Sequence, residues 1–573
     1  MFRAMNRHIV ACCGLVVGAV TISSAAACQR SHAADSKAAR VDQLFSTWNR
    51  TDSPGCAVGI SQNGVVLYEH GYGMANLERN VPVTADTVLD LASISKAFTA
   101  MSVFLAAQQG KLSLDDEVQK YVPEWIDRDD HITIRHLVSH TSGVRDAFTL
   151  LGWVPGGYST GDTNAAIVNV LARQRGLNFP PGAKFEYNNG GYNLLASILK
   201  RATGQSLGAF AAANIFKPLG MTHTSFAEDP TKLTAARASG YTRNSEGWHV
   251  VPGQPGPAIV GNGGMYSTVG DLLIWLENFD HPRVGTPEMF AAMQKQPVLK
   301  DGTTSSYGMG IPTSEYRGLS AFEFSGGGPG VATKVMRFPK QRLAVAVLCN
   351  EDSVVVGGMA RVNPDVFTNG VADIYLADVL RPADVASPAP AAQAPVKLSD
   401  AELSEKAGLY RNVDLDLPLL VSVNHGTVMF RSYFHDDSDF ELTPIGGNRF
   451  MFWGSSTAWE FVPATAGRPK EWHQGPAVAQ AVTLTVSPSE LRAYAGNYRS
   501  DEIGALWTLE VQDSRLIFTN AWPPNLPLSP FSKDTFAGDF VGVVKFSRDS
   551  RGAVTGFTTN RGSVIGLRFD RLK

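Results

Sequence analysis

The sequence predicts an α+β fold, with one mixed domain of strands and helices followed by two small all-β domains. Strand and helix patterns alternate from Pro54 to about Pro382. Beyond them, short alternating apolar runs are separated by turn residues about every ten positions, with almost no helical period. At 573 residues the chain is also too long for a single core, so several domains are expected.

A linker and an internal repeat divide the second half of the chain. The segment RPADVASPAPAAQAPVK is rich in Pro and Ala and has no hydrophobic period, which is typical of a linker. Further on, LSEKAGLYRN from Leu403 is echoed by LRAYAGNYRS from Leu491, which predicts two barrels or sandwiches in tandem. The predicted boundaries are 40–380 for the mixed domain, 381–398 for the linker, and 399–480 and 486–573 for the barrel-like domains.

Local signals place the first elements of the mixed domain. Asn63-Gly64 joins two β runs and favours a tight hairpin turn. Gly110 and Gly204 stand where left-handed caps would end two of the helices. The predicted helices cover about 94–109, 133–139, 164–174 and 190–203.

The N-terminus has the pattern of a secretory signal. Basic residues are followed by an apolar run from Ile9 to Ile22 and then by small residues, which predicts removal of residues 1–33 after Ala33. The alternative is a lipid anchor through Cys28, because SSAAAC resembles a lipobox without its usual Leu. We therefore expect a periplasmic or secreted protein, soluble or lipid-anchored, in an oxidising compartment.

Charge and cysteine content narrow the function classes. The 50 basic and 53 acidic residues give a net charge of −3 with no basic block, so nucleic acid is not an expected partner. Outside the predicted signal and Cys28, the remaining cysteines are Cys56 and Cys349, each in a β-branched run. We expect two small buried core residues in preference to a cross-strand bridge.

The segment LASISKAFTA, residues 91–100, contains a candidate nucleophile. A serine hydroxyl needs a neighbouring base to take its proton. Ser93 and Lys96 are three residues apart and share a helix face, whereas Ser95 projects elsewhere. Ser93 would also stand at a helix N-terminus, where free backbone N–H groups stabilise an oxyanion.

The S-x-x-K pattern alone is a weak signal. A second copy, Ser197 to Lys200, lies inside an apolar helix, where a serine is usually packed or bonded back to the helix. Ser93 alone would also suit a helix N-cap. The context downstream of Ser93 therefore decides between the alternatives.

Five further segments accompany the first in order and spacing. They are ITIRHLVSHTSGV (132–144), PGAKFEYNNGGYNLLASILKRATG (181–204), PLGMTHTSF (218–226), GNGGMYSTVGDL (261–272) and SGGGPGVATKVMRFP (325–339). Together they resemble the serine β-lactamase-related hydrolases: class C β-lactamases, family VIII esterases, DD-peptidases and D-aminopeptidases. The resemblance covers about residues 40–380 and implies a β-lactamase/transpeptidase-like domain, an antiparallel sheet flanked by helices plus a helical subdomain.

The resemblance implies roles for four residues. The serine that is acylated falls on Ser93, its lysine on Lys96, the tyrosine of a Y-x-N motif on Tyr187, and the orienting amide on Asn189. An ammonium a few ångströms away would favour the phenolate of Tyr187. Whether the lysine or the tyrosine takes the first proton stays open. The tyrosine in YRN at Tyr410 matches the motif but lies in the β region.

The third motif of the family, K-T-G or H-x-G, differs here. In FSGGGPG, Ser325 and Gly326 fall on its last two positions, Phe324 stands where the cation belongs, and Gly327 would give the second oxyanion N–H. The missing cation normally holds a substrate carboxylate. We therefore expect penicillins and peptides ending in D-Ala to be poor substrates.

The same fold places the first strand of the sheet beside the last. This arrangement implies that Cys56 and Cys349 are neighbours, and their closeness is expected more than their bonding.

Three other motifs were weighed. GYSTG (157–161) fits a nucleophile elbow but lacks the preceding strand, which favours a loop near the cleft. His136 and His140 have helical metal-ligand spacing but no H-E-x-x-H glutamate or acidic third ligand. GGGPG lacks the Lys of a phosphate loop. No cofactor or metal is predicted.

The sequence thus predicts an exported serine hydrolase that forms an acyl-enzyme on a small ester, amide or short peptide and is a poor β-lactamase. One alternative is a D-aminopeptidase or DD-peptidase acting on peptidoglycan-type peptides, because the three-domain architecture resembles that of D-aminopeptidases. Another is a penicillin-binding-like protein with weak catalysis, which the intact Ser93, Lys96 and Tyr187 argue against.

Overall fold

A six-stranded antiparallel sheet with helices on both faces is followed by two closed eight-stranded barrels, which confirms the predicted fold class. The structure is a computed structural model that describes residues 36–126, 129–154, 163–229, 231–244, 246–251, 258–352, 362–382, 398–424, 426–432, 436–452, 457–521 and 523–573. The predicted N-terminal signal and nearly all of the predicted linker lie outside the described residues.

The first and last strands of the mixed domain lie side by side in the middle of its sheet. The order across the sheet is Thr313–Tyr316, Leu319–Gly328, Val331–Phe338, Leu343–Cys349, Cys56–Gln62 and Val65–Tyr72. Smaller paired strands are Met74–Asn76, Val81–Pro82, Leu89–Asp90, Ser225–Phe226, Tyr241–Asn244, Gly247–Val250 and Met265–Ser267.

The α-helices of the mixed domain are Ser95–Gln108, Ile134–Val138, Ala147–Gly152, Asn164–Ala172, Asn189–Thr203, Leu207–Ala211, Lys217–Leu219, Val269–Glu277, Pro287–Gln294 and Pro364–Tyr375. The four predicted helices are present with boundaries shifted by at most two residues. Gly110 and Gly204 adopt φ values of 66° and 75°, the left-handed conformation expected of glycine after a helix. None of the helices within the described ranges is long and apolar enough to cross a membrane.

Cys56 and Cys349 form a disulfide across the centre of the sheet. They occupy directly opposite positions in an antiparallel strand pair, with their Cα atoms 4.0 Å apart. The expected closeness is confirmed, and the preference for two unbonded cysteines was wrong. Facing positions in this register bring the two side chains within bridging reach without backbone movement.

The sheet separates two cores of the mixed domain. On one face Pro364–Tyr375 packs with buried residues such as Phe45 and Phe338. On the other face the helical subdomain packs around Ser95–Gln108, which we call the nucleophile helix and whose residues Ser95 to Ala106 are all buried. A helix buried on all sides is held rigidly, so the residues at its start have a fixed position.

The two barrels repeat one design. The strands of the first barrel are Gly408–Asn412, Leu417–Asn424, Thr427–Ser432, Asp436–Gly446, Arg449–Phe452, Trp459–Val462, Glu471–Gln474 and Ala477–Ala481. Those of the second barrel are Gly496–Ser500, Ala505–Gln512, Arg515–Phe518, Leu526–Ser532, Thr535–Gly538, Gly542–Arg548, Val554–Arg561 and Val564–Arg571. In each, a short helix with a capping box precedes the first strand.

The repeated sequence motif explains this likeness. Tyr410 donates its hydroxyl to the carbonyl of Lys406 at 2.7 Å, and Tyr498 donates to the carbonyl of Tyr494 at 2.6 Å. Both tyrosines are fully buried. In both copies of the repeat, the tyrosine therefore bonds the short helix to the first strand of its barrel. Tyr410 is a structural residue.

The second barrel packs directly on the helical subdomain. Arg145 and Glu502 form an ion pair of 2.7 Å across this contact, with side chains only 4 % and 5 % exposed. Trp153 and Trp507 meet edge to face at 6.0 Å in the same interface. The buried apolar residues of the second barrel and of the helical subdomain form one continuous core.

Candidate active site

Ser93 lies in a short 3₁₀ turn, Ala92–Ile94, that leads directly into the nucleophile helix. Ala92 adopts φ 44°, a left-handed conformation that is uncommon outside glycine. Its N–H donates to the carboxylate of Asp90 at 2.8 Å, which holds the turn in this conformation. Such backbone strain clusters at active sites, where the surrounding structure over-determines it.

The other candidate serines have structural roles. Ser95 is fully buried and donates its hydroxyl to the carbonyl of Ala92 at 2.6 Å, so it closes the turn. Ser197 donates to the carbonyl of Asn193 one helical turn earlier, at 3.1 Å. Neither serine lines the cavity in front of Ser93.

Lys96 lies behind Ser93 and is held by fixed acceptors. Its Nζ is 3.0 Å from Ser93 Oγ, 2.8 Å from Asn189 Oδ1 and 2.7 Å from the carbonyl oxygen of Asn262. Asn189 begins the helix Asn189–Thr203, so three separate segments meet at this amine. The sequence analysis named Lys96 and Asn189, but not the carbonyl of Asn262.

The protonation state of Lys96 follows from its burial. Only 1 % of Lys96 is exposed, and desolvation holds the pKa of its amine well below the ordinary 10.5. A neutral amine donates its two protons to the two carbonyl oxygens and directs its lone pair toward Ser93. In this state Lys96 can accept the proton of the serine hydroxyl.

Tyr187 approaches Ser93 from the opening of the cleft. Its hydroxyl donates to Ser93 Oγ at 2.8 Å, and the Lys96 Nζ lies 4.7 Å from the centre of its ring. Although 41 % of the residue is exposed, the protein packed around the phenol raises its pKa to about 12. Desolvation of the phenol thus disfavours the phenolate that was expected from the sequence.

The ring of His140 packs against the ring of Tyr187. It is buried at φ 57°, and its Nδ1 accepts the backbone N–H of Asn188 at 3.0 Å. Its ring lies 4.6 Å from Tyr187, 4.9 Å from Tyr192 and 5.0 Å from Tyr307. Desolvation lowers its pKa, so the imidazole is neutral and serves as a packing element.

His136 has a different role, as part of the capping box that starts the helix Ile134–Val138. His136 and His140, which have metal-ligand spacing in the sequence, therefore have two different structural roles.

The third motif lies on the strand Leu319–Gly328, which we call the rim strand. A Cβ added at Gly326 would lie 3.0 Å from the backbone nitrogen of Ser93 and closer still to the carbonyl of Leu91. Thr333 donates to that same carbonyl at 3.1 Å from the neighbouring strand. Gly326 therefore permits the rim strand to contact the turn that contains Ser93.

Phe324 occupies the predicted cation position, but its ring belongs to the core. The residue is 4 % exposed, and its ring lies 5.3 Å from Trp275 and 6.1 Å from Phe322. It borders the cavity without presenting a charge to it.

The two basic residues on the next strand are already paired. Lys334 binds Glu323 at 2.7 Å and also binds Asp365. Arg337 is fully buried and pairs with Asp280. Neither is a free substitute for the missing cation.

A cavity of about 380 Å³ opens in front of the nucleophile. It is lined by Ser93, Lys96, Tyr187, Tyr307, Pro312, Glu323, Phe324, Ser325 and Gly327. A larger cavity of about 920 Å³ lies beside residues 178–182 and shares none of these residues. The chemistry is therefore located in the smaller cavity, where nucleophile, base and phenol converge.

Asn178 connects the second barrel to the Tyr187 segment, and no sequence motif marked it. Its amide donates to Glu186 at 2.6 Å and to the carbonyl of Ser563 at 2.8 Å, while its oxygen accepts from Ile565 N–H at 2.9 Å. The second barrel thus supports the segment that carries Tyr187. The GYSTG segment, residues 157–161, lies outside the described residues.

In this fold, a serine whose oxygen contacts both a buried amine and a phenol defines a serine hydrolase. The Beta-lactamase family model matches residues 39–361, and the chain belongs to this family.

Curated relatives and a solved structure are similar to the chain. Penicillin-binding protein 4* of Bacillus subtilis is 30% identical over 339 residues, 55% of this chain and 72% of that protein. A D-aminopeptidase of Gluconobacter oxydans is 28% identical over 336 residues, 57% of this chain and 62% of that enzyme. The structure of the octameric penicillin-binding protein homologue from Pyrococcus abyssi has a TM-score of 0.51 at 22% identity, covering 78% of this chain and 99% of that chain.

Proposed function

We propose that the protein is an exported serine hydrolase that forms an acyl-enzyme at Ser93 on neutral esters or amides and hydrolyses penicillins poorly. The observation that carries the proposal is the convergence of Lys96 Nζ and Tyr187 Oη on Ser93 Oγ, at 3.0 and 2.8 Å. The substrate is a small molecule or short peptide, since the cavity holds about 380 Å³.

Acylation begins with the transfer of the Ser93 proton to the neutral amine of Lys96. The freed Oγ attacks the substrate carbonyl carbon, and the negative charge on the carbonyl oxygen is stabilised by the backbone N–H groups of Ser93 and Gly327. Tyr187 donates its proton to the departing oxygen or nitrogen and regains one from the Lys96 ammonium. The products of this step are a Ser93 ester, a protonated leaving group and a neutral Lys96.

Deacylation repeats the same steps with water as nucleophile. Water loses a proton to Lys96 and attacks the ester carbon, and the tetrahedral intermediate expels Ser93 Oγ. Tyr187 returns a proton to that oxygen, and Lys96 returns its proton to Tyr187. The acid is released with the enzyme in its starting protonation state.

Neutral substrates are favoured because none of the described residues that line the cavity offers it a free cation. Of the described residues that line it, Lys96 is the only basic one, and its hydrogen bonds are committed to the catalytic amide and carbonyl. Phe324, at the position of the family's cation, offers no charge to a carboxylate. A charge-assisted contact of this kind contributes roughly 1.5–3 kcal/mol, or about ten- to a hundredfold in binding.

Export rests on the N-terminal sequence together with the disulfide. Basic residues before the apolar run Ile9 to Ile22 are typical of a signal, with Ala33 or Cys28 as the processing position. The Cys56–Cys349 bond agrees with an oxidising compartment.

The second candidate is a D-aminopeptidase-type activity on short peptides. It is favoured by the likeness to D-aminopeptidases and by the barrel-bearing architecture. Because fold does not fix the substrate, this candidate ranks after the neutral ester or amide.

The test compares kcat/KM for p-nitrophenyl acetate, D-alanine p-nitroanilide and benzylpenicillin, with Ser93→Ala as the control for background hydrolysis. We expect turnover of the acetate and little hydrolysis of the penicillin. Turnover of the anilide above the acetate would favour the second candidate. Faster turnover of benzylpenicillin than of both other substrates would contradict the proposal.

A further inference from the structure

Glu323 brings a carboxylate into the catalytic cavity. It lies on the rim strand, on the same face as Ser325, and lines the cavity together with Ser93. Its side chain is 32 % exposed. Strand alternation turns Phe324 into the core and leaves Glu323 and Ser325 on the other face.

Glu323 also forms an ion pair with Lys334 on the neighbouring strand. Lys334 is directly opposite Ser325 in the strand pairing, and its Nζ contacts Glu323 Oε2 at 2.7 Å and Asp365 Oδ1. Burial lowers the pKa of Lys334, but the bonds to Asp365 and Glu323 outweigh that effect and raise it, so the amine is charged. Only 8 % of the Lys334 side chain is exposed, which leaves little of it for a substrate carboxylate.

The cluster of Glu323, Lys334 and Asp365 has a net negative formal charge. Two carboxylates and one ammonium leave one net negative charge at this wall of the cavity. Within the described part of the chain, Glu323 Oε1 has no hydrogen-bond or ion-pair partner, because the contact with Lys334 uses Oε2. An acceptor oxygen is therefore available in the cavity that contains Ser93.

The position of Glu323 limits which cations it can bind. It precedes the oxyanion residue Gly327 by four strand residues, which is about 13 Å at roughly 3.3 Å per residue. Even with its side chain extended toward Gly327, several ångströms separate its carboxylate from the scissile carbonyl. An α-amino group is attached next to that carbonyl, so it is too close to Ser93 to reach Glu323.

We infer that Glu323 is a specificity-determining residue that selects substrates carrying an amine several bonds from the scissile carbonyl and, by occupying Lys334, rejects substrates carrying a carboxylate there. This inference rests on the proposed acyl-enzyme function and names its substrate class. The amine is borne on either the acyl or the leaving side, and matched probes distinguish the two.

The test uses two probe series that differ only in charge. On the acyl side, p-nitrophenyl 6-aminohexanoate is compared with p-nitrophenyl hexanoate. On the leaving side, the acetate esters of 4-(aminomethyl)phenol, 4-methylphenol and 4-(carboxymethyl)phenol are compared. The quantity measured is the ratio of kcat/KM for the charged probe to that for its neutral counterpart, because a misfolded fraction lowers both alike.

We expect the wild type to prefer the amine probe of one series over its neutral counterpart by about ten- to a hundredfold. Glu323→Gln keeps the shape and removes the charge, so this ratio should fall toward one while the ratio for the carboxymethyl probe rises. Glu315→Gln is the matched control, because Glu315 lies on the adjacent strand, is exposed and does not line the cavity.

The test distinguishes failure of the specificity inference from failure of the proposed function. If the neutral esters are hydrolysed normally but neither series shows an amine preference, or if Glu323→Gln leaves both ratios unchanged, the specificity inference is overturned. If no ester is hydrolysed and Ser93 is not acylated, the proposed function itself has failed.

Discussion

The hydroxyl of Tyr187 donates to Ser93 Oγ over 2.8 Å, and the buried amine of Lys96 lies 3.0 Å from the same oxygen. The phenol keeps its proton because burial raises its pKa to about 12. The directions of these two pKa shifts support the proposed roles, in which Lys96 takes the serine proton and Tyr187 gives one to the leaving group.

The first prediction concerns pH. Lys96 acts as a base only when neutral, so kcat/KM for a neutral ester should fall as the pH is lowered through the pKa of its amine. Since burial lowers that pKa from 10.5, the rate should already be at its plateau well below pH 10.5 and remain there until Tyr187 deprotonates, at about 12. The measurement is a pH profile of kcat/KM at constant ionic strength.

Lys96→Arg provides the control, because a guanidinium stays protonated in proteins and should abolish activity at every pH. A wild-type rate that rises only near the ordinary pKa of lysine would show that the pKa of Lys96 is not lowered and that its amine is charged at neutral pH.

The second prediction separates the two proton carriers. Tyr187→Phe removes the proton donor for the leaving group and should lower kcat/KM for an anilide by about 10²–10⁴. A p-nitrophenyl ester expels a stable anion that needs no proton, so its kcat/KM, which does not include deacylation, should fall much less. The ratio of the two kcat/KM values is the measurement, and an equal loss for both substrates would assign the serine deprotonation to Tyr187.

The third prediction concerns the disulfide. The Cys56–Cys349 bond joins residues 293 positions apart, and its loss should lower the free energy of unfolding by about 2–5 kcal/mol. Denaturant unfolding of the Cys56→Ser, Cys349→Ser double variant measures this change. Alkylation of the denatured wild type should modify neither cysteine before reduction and both after it; modification of both without reduction would contradict the bond.

The fourth prediction tests the contact between the second barrel and the helical subdomain. Glu502→Gln leaves the Arg145 guanidinium buried without its ionic partner, and removal of one partner from a buried pair costs about 3–5 kcal/mol. Thermal unfolding should therefore show a large loss of stability. Asp501→Asn is the matched control, because Asp501 is adjacent and 57 % exposed, and its change should be within about 1 kcal/mol. Similar effects of the two changes would mean that the interface does not depend on the pair.

Much of the site could be predicted from the sequence because it is encoded locally. Ser93 and Lys96 share one helical turn, and Tyr187 and Asn189 lie on either side of Asn188, the N-cap of a helix that ends at Gly204. The barrel repeat was also recognisable, since the tyrosine and the glycine of each copy serve the same helix-to-strand junction.

What the sequence did not reveal depends on contacts between distant segments. Asn262 reaches Lys96 through a backbone carbonyl, which has no side-chain signature. Phe324 aligned with a cation, but strand alternation and the Trp275 ring determine that it faces the core. The bond between the cysteines depended on the strand register, which places them directly opposite one another.

The most direct test of the central claim, that Ser93 is the nucleophile, is the intact mass of the protein after incubation with a fluorophosphonate probe. We predict one phosphonyl adduct on the wild type and on Ser95→Ala, whose hydroxyl only closes the turn, and none on Ser93→Ala. Peptide mapping should locate the adduct on Ser93. Labelling of Ser93→Ala to the same extent as the wild type, or loss of labelling in Ser95→Ala with Ser93 intact, would contradict the assignment.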